Sequence, residues 1–108
     1  MTTMTERELQ EQVRQLCVDL GLYMYHAHDS RRSQPGFPDC WIINPRTGQV
    51  MYRELKTETG ALSKTQRALG YALQAGRHDY DIWRPRHLLD RTIQRQLAQL
   101  AGITARIA

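Results

Sequence analysis

The sequence predicts an α/β domain, a mixed sheet of about four strands flanked by helices in the order α-β-β-β-α-β-α. Three observations predict it. Apolar residues recur at three- and four-residue steps in three separate segments, which is the spacing of amphipathic helices. Between them lie four short runs rich in aromatic and aliphatic residues, bounded by Gly, Pro, Asn and Asp, as strands are. The chain has 108 residues, 41% hydrophobic and 24% charged, enough for one modest core but not two, so a single domain over residues 1–108 is expected.

Residues 5–20 open the chain as a helix. Leu9, Val13, Leu16, Cys17 and Leu20 form its apolar stripe, Thr5 and Glu8 make a capping-box pattern, and Gly21 is a natural stop. Residues 22–28, "LYMYHAH", have the aromatic composition of a strand, and 29–36 are loop. "PDCWIIN" (38–44) and "VMYRELKT" (50–57) are the second and third strands, joined through a hairpin turn that contains Pro45 and Gly48. Ser63 caps the next helix, which ends near Gly76 and offers Leu62, Leu69, Ala72 and Leu73 to the core. "HDYDIWRP" (78–85) is the fourth strand. A final helix over 84–102 carries the stripe Leu88, Leu89, Ile93, Leu97 and Leu100. Helices and strands in this order suggest a small mixed sheet with helices packed on it.

Composition narrows the setting. No apolar run approaches the roughly 20 residues that a membrane span needs, and the N-terminus is polar, so neither membrane anchor nor signal peptide is expected. Cys17 and Cys40 each lie in an apolar-patterned segment and read as buried free thiols in a reducing compartment, the cytoplasm. No CxxC or His/Cys cluster has zinc spacing. The net charge is +4, carried by thirteen arginines and two lysines, and arginine's planar fork suits phosphate. A polyanion partner fits this balance, although many proteins that bind none are as basic.

The chemistry concentrates in "YRELKTETG" (52–60). Side chains alternate along a strand, so Glu54 and Lys56 share one face while Arg53 and Leu55 take the other. Asp39 opens the neighbouring strand, with fourteen residues between it and Glu54. A hairpin this short can bring the two carboxylates to the same end of adjacent strands. Converging carboxylates repel unless a cation lies between them, and such oxygen ligands suit Mg²⁺ or Mn²⁺. An ammonium beside that cation would orient water or stabilise charge developing on a phosphate. A bare Glu-x-Lys is equally an ordinary salt bridge on a solvated strand face. The preceding Pro-Asp is what sets this one apart.

"GFPDCWI", "YRELKT", "LSKTQ" and "YDIWRP", in that order, resemble the PD-(D/E)xK nuclease superfamily. They are most similar to its virus-type replication-repair nuclease (VRR-NUC) branch in the short, stand-alone phage and bacterial form, over roughly residues 6–90. The resemblance implies a restriction-endonuclease-like core, Asp39 and Glu54 as metal ligands, Lys56 as the catalytic lysine, and Gln66 beside the metal site. It also implies a glutamate on the first helix. Glu6, three residues before Leu9 and seven before Val13, lies on the inward stripe, while Glu8 and Glu11 fall off it, so Glu6 is the choice. The alternative is that Glu6 merely complements the helix N-terminus.

"HAHDSRRS" (26–33) also resembles the family's pattern. His28, Ser30, Arg31 and Arg32 would put donors and positive charge on a loop entering the site, positioning a phosphate backbone without reading sequence. Lys64, with Arg67, Arg84 and Arg86, would extend this basic surface. Trp83 reads as core or as a base-stacking platform, and Tyr23 and Tyr25 as core or interface.

The resemblance implies an Mg²⁺- or Mn²⁺-dependent endonuclease acting on branched DNA such as a Holliday junction. A homodimer with two opposed sites would work in the cytoplasm of a bacterium or phage-infected host. The last helix's arginines or strand 22–27 would supply the dimer interface. Two rivals stay open: a non-catalytic DNA-binding or packaging module on the same fold, and an interaction protein whose Glu-Lys pair is structural.

Overall fold

The computed structural model describes residues 4–27 and 34–103. Helix α1 (Glu6–Leu20) starts where Thr5 and Glu8 exchange hydrogen bonds. Glu8 N donates to Thr5 Oγ1 at 3.1 Å and Thr5 N donates to Glu8 Oε1 at 2.9 Å. The helix stops at Gly21, whose φ of 70° is the left-handed turn that favours glycine. Strands β1 (Tyr23–His26), β2 (Cys40–Ile43), β3 (Val50–Leu55) and β4 (Tyr80–Trp83) make one sheet in the order β1-β2-β3-β4. The first two pairings are antiparallel hairpin-type pairs. β3 and β4 run parallel, and helix α2 (Lys64–Ala75) supplies the crossover that a parallel pair requires. The sheet is therefore mixed, as expected.

The strand alternation divides the sheet into two unlike faces. Cys40, Ile42, Met51, Leu55 and Trp83 point to one side and are buried against Leu9, Val13 and Cys17 of α1 and against Ile93, Leu97 and Leu100 of α4 (Thr92–Leu100). Full burial of each such side chain contributes roughly 1.5–3 kcal/mol, and this layer is the core. Burial pushes the Cys17 thiol up to about 12 and the Cys40 thiol well above its ordinary value, and both are free. The other face carries Tyr52, Glu54, Tyr80 and Ile82. Helix α2 covers it only on the β4 side, where Gly70 comes so close to the Tyr80 ring that an added Cβ would stand 2.8 Å from it.

A charged residue, Arg53, lies within the core layer. Arg53 is only 2% exposed. Its guanidinium lies 4.9 Å from the centre of the Trp83 ring. It donates to the Tyr52 and Asp79 carbonyls and to Gln96 Oε1, and it pairs with Asp79 Oδ1 at 3.0 Å. Trp83 Nε1 donates to the same Gln96 oxygen at 2.8 Å. Trp83, fully buried, is therefore core and not a stacking platform.

The final helix differs from the expectation. It is two helices, α3 (Arg86–Leu89) and α4, broken at Asp90–Arg91. Arg91 takes a left-handed φ of 66° and Asp90 Oδ1 accepts from Thr92 N, the local side-chain bonding by which Asp competes with helix continuation. The break rotates Leu89 out of the stripe to 75% exposure. On α2, Ala72 is likewise exposed, because the helix touches the sheet along a narrow line centred on Gly70. All four strands are shorter than the sequence suggests. Lys56 and Asp39 accordingly stand just outside their strands, where side chains are released from the pleat.

Candidate active site

The strand register brings the predicted residues together. Cys40 pairs with Arg53 as the last rung of this antiparallel ladder, and Asp39 and Glu54 stand one residue beyond it and line the same cleft. Asp39 Oδ1 accepts from the Leu55 backbone N–H at 3.2 Å, which ties this carboxylate across to β3. Glu54 Oε2 accepts from Gln66 Nε2 at 3.0 Å. Gln66 Oε1 meanwhile accepts from Ser63 N at 2.8 Å as half of the capping box of α2, so one side chain starts the helix and holds the carboxylate.

Glu6, Asp39, Glu54, Lys56 and Gln66 line one cleft of about 360 Å³. The two other glutamates of α1 are engaged elsewhere: Glu8 in the capping box and Glu11 with Arg14 at 2.6 Å. Glu6 is the one left facing the cleft. Two contributors, both on α1, were not singled out from the sequence. Arg7 and Gln10 line the cleft from α1. His26 Nε2 stands 3.7 Å from Asp39 Oδ2. His26 opens the quoted 26–33 segment, whose His28, Ser30, Arg31 and Arg32 lie outside the described residues. Lys64 is exposed on the first turn of α2 and does not line the cleft.

Electrostatics at the site run against two free carboxylates. Glu54 is 4% exposed. Burial first, and then the Asp39 charge, push its pKa from 4.5 up to about 8, with Lys56 pulling the other way and Glu6 adding to the rise. Asp39 is also raised, chiefly by burial, although the Leu55 N–H and His26 partly offset this and Glu6 adds to it. Glu54 Oε1 is buried and finds no hydrogen-bond partner among the described residues. An unsatisfied buried oxygen costs about 1–3 kcal/mol, more when charged. The cleft is thus short of positive charge. Among the described residues no three His, Cys, Asp or Glu side chains converge closely enough to form a ready-made metal cage.

Behind Lys56 the chain is fixed by an arginine. Lys56 N donates to the Trp83 carbonyl at 3.0 Å, continuing the β3–β4 pairing past the strand end. Arg84 Nη1 then donates to the carbonyls of Thr57 at 2.7 Å and Gly60 at 2.8 Å. Arg86 pairs with Glu58 at 2.7 Å. These two arginines, expected on the basic surface, instead clamp the loop that leads from Lys56 to the Ser63 cap. A larger cavity, about 560 Å³, lies at the far end of β3 around Arg53, Arg77 and His78 and holds none of the cleft's carboxylates.

The model of one protein family, the VRR-NUC domain, matches residues 2–84. No curated protein matches the chain, and no solved structure does.

Proposed function

Since the chain belongs to the VRR-NUC domain family and so carries a nuclease-type, DNA-processing domain, we propose that it is a divalent-metal-dependent endonuclease that selects branched DNA. The observation that carries this reading is the pair Asp39 and Glu54. It is buried enough to push Glu54 up to about 8 and leaves Glu54 Oε1 without a partner among the described residues. An all-oxygen donor set with that deficit fits Mg²⁺ or Mn²⁺. Asp39 and Glu54 would hold the ion, with Glu6 completing the site. Bound there, a divalent cation supplies the Lewis acidity and charge neutralisation that phosphodiester hydrolysis requires.

The chain's own groups do the rest. Gln66 fixes one oxygen of Glu54, while the Leu55 N–H fixes Asp39. Lys56 brings an ammonium to orient the attacking water and to stabilise charge on the phosphoryl oxygens in the transition state. Its backbone, pinned to Trp83, keeps that ammonium near the carboxylates. Arg7 on α1 adds a cation to the cleft rim for the phosphate backbone. His28, Ser30, Arg31, Arg32 and Lys64 are proposed to extend that grip.

Cleaving two strands of a junction needs two sites, so the active form is proposed to be a homodimer. The free thiols Cys17 and Cys40 support a reducing, cytoplasmic setting. The test is incubation of the pure protein with a four-way junction and with linear duplex, each with Mg²⁺, with Mn²⁺ and with chelator. The expected result is junction cleavage that is lost in chelator and in Lys56→Ala. Binding without cleavage under every condition would replace the nuclease reading with that of a non-catalytic module.

A further inference from the structure

The outer sheet face that α2 leaves uncovered carries a line of aromatic rings. Tyr25, Trp41 and Tyr52 are register partners across β1, β2 and β3. Their rings touch edge to face, 6.2 Å from Tyr25 to Trp41 and 5.2 Å from Trp41 to Tyr52, and His78 follows 5.9 Å from Tyr52. They are far from buried: Tyr25 is 63% exposed, Trp41 40%, and Tyr23, on the same face of β1, 65%. Three large exposed rings on adjacent strands are a costly surface for a small domain to leave in water unless something covers it.

Position says what covers it. Trp41 is two residues from Asp39, and Tyr52 is two residues from Glu54, on the same face. The aromatic tier is therefore the next one below the two carboxylates, about 7 Å away at two strand residues, the scale of one nucleotide. Trp41 Nε1 also donates to the carbonyl of Pro38, which lines the cleft beside Asp39. Charge complements it: Lys56 lies at the cleft side, and Arg77 flanks the His78 end.

We propose that this tier is a stacking platform for unpaired nucleobases next to the phosphate being cut, with Trp41 as its centre and Tyr25 as its outer ring. The proposal rests on the nuclease reading of the cleft and deepens it, because it assigns the selection of branched DNA to bases that junctions and flaps leave unstacked. Every base has a π face, so rings on a sheet bind single strands with little sequence preference. A second copy of this chain seated on the same face would stand where the duplex must approach Asp39, which is why nucleobases are the better occupant.

The two tryptophans differ usefully. Trp83 is fully buried and Trp41 is not, so DNA-dependent quenching of fluorescence reads Trp41. The protein is titrated in chelator with a splayed-end oligonucleotide duplex and with a blunt duplex of the same sequence. Quenching by the splayed duplex alone is expected. Trp41→Ala should lose about 10-fold or more in affinity for it, in line with the loss of one stacked base, and Trp41→Phe should recover most of that loss. Thermal melts of both variants check folding, and Tyr25→Ala carries the same test if Trp41→Ala does not fold. Equal quenching by both DNAs, unchanged affinity in the variants, or an emission change that follows protein concentration without DNA would overturn the proposal, the last in favour of a second copy. Because no cleavage is needed, a protein that stacks but never cuts would sink the nuclease reading and leave this one standing. One that cuts without quenching would do the reverse.

Discussion

Glu54→Gln is expected to make the metal-free protein more stable while removing its activity. Glu54 holds its proton more tightly in the fold, with a pKa of about 8, than in the unfolded chain, where 4.5 applies. Between those pH values the folded state carries the extra proton, so wild-type stability falls as pH rises through the window and levels off above about 8. At about 1.4 kcal/mol per pH unit, the loss is about 3 kcal/mol by pH 7 and nearly 5 kcal/mol by pH 9. Glutamine copies the neutral acid in shape, keeps a carbonyl oxygen for Gln66, and takes one charge away from Asp39.

The variant should therefore match wild type near pH 4.5, exceed it by about 3 kcal/mol at pH 7, and exceed it by more at pH 9. A domain of this size moves its melting temperature by about 4–8 °C per kcal/mol, so the pH 7 difference should exceed about 10 °C. Urea and thermal unfolding in chelator at pH 5, 7 and 9 measure it. Added Mn²⁺ should then raise wild-type stability by mass action and leave Glu54→Gln nearly unmoved. Equal stability of the two proteins at pH 9, or a less stable variant there, would refute the premise that burial and Asp39 hold Glu54 against ionisation.

Asp39→Asn should keep the fold and weaken Mn²⁺ binding, measured by calorimetry; an unchanged affinity would remove Asp39 from the ligand set. Arg53→Ala should cost about 2–5 kcal/mol in urea unfolding, because it empties the space that the buried side chain fills beside Trp83 and removes its bonds to Gln96 and the Asp79 carbonyl. A loss within 0.5 kcal/mol, the scale of an ordinary surface change, would mean that Arg53 is not part of the core. Gly36→Ala should destabilise by about 1–3 kcal/mol and slow cleavage. Gly36 has a φ of 93°, and a Cβ there would stand 2.6 Å from the Thr65 carbonyl oxygen, pushing the Pro38–Asp39 approach away from α2. Wild-type melting and cleavage rates would contradict that packing.

Much of this molecule is written in local pattern. The Thr5–Glu8 and Ser63–Gln66 boxes mark both long helix starts, because capping is decided within four residues. The hairpin between Asp39 and Glu54 is short enough to bring both carboxylates to the same end of adjacent strands, and both line one cleft. The strand pattern also identified four strands and their order of appearance, and the resemblance carried in the four quoted motifs agrees with the family match.

Other features depend on what lies far away in the chain. The Asp90–Arg91 break is invisible in a continuous apolar stripe, because Leu88 and Ile93 still reach the core after the turn between them. Arg84 reads as a surface charge until the fold brings three carbonyls of the 57–60 loop to its guanidinium. Arg53 alternates like a core residue but is charged, and only Trp83, Gln96 and Asp79, all at least 26 residues later, make its burial tolerable. Trp41 and Trp83 have similar strand surroundings in sequence, yet α1 and α4 enclose one while α2 stops short of the other. Sequence by itself determined the elements and the carboxylate pair, since these follow from neighbours a few bonds or one hairpin away. Tertiary packing alone decided which charges are clamped, which ring meets solvent and how far Glu54 is driven from its ordinary acidity, because burial is a property of the assembled surface.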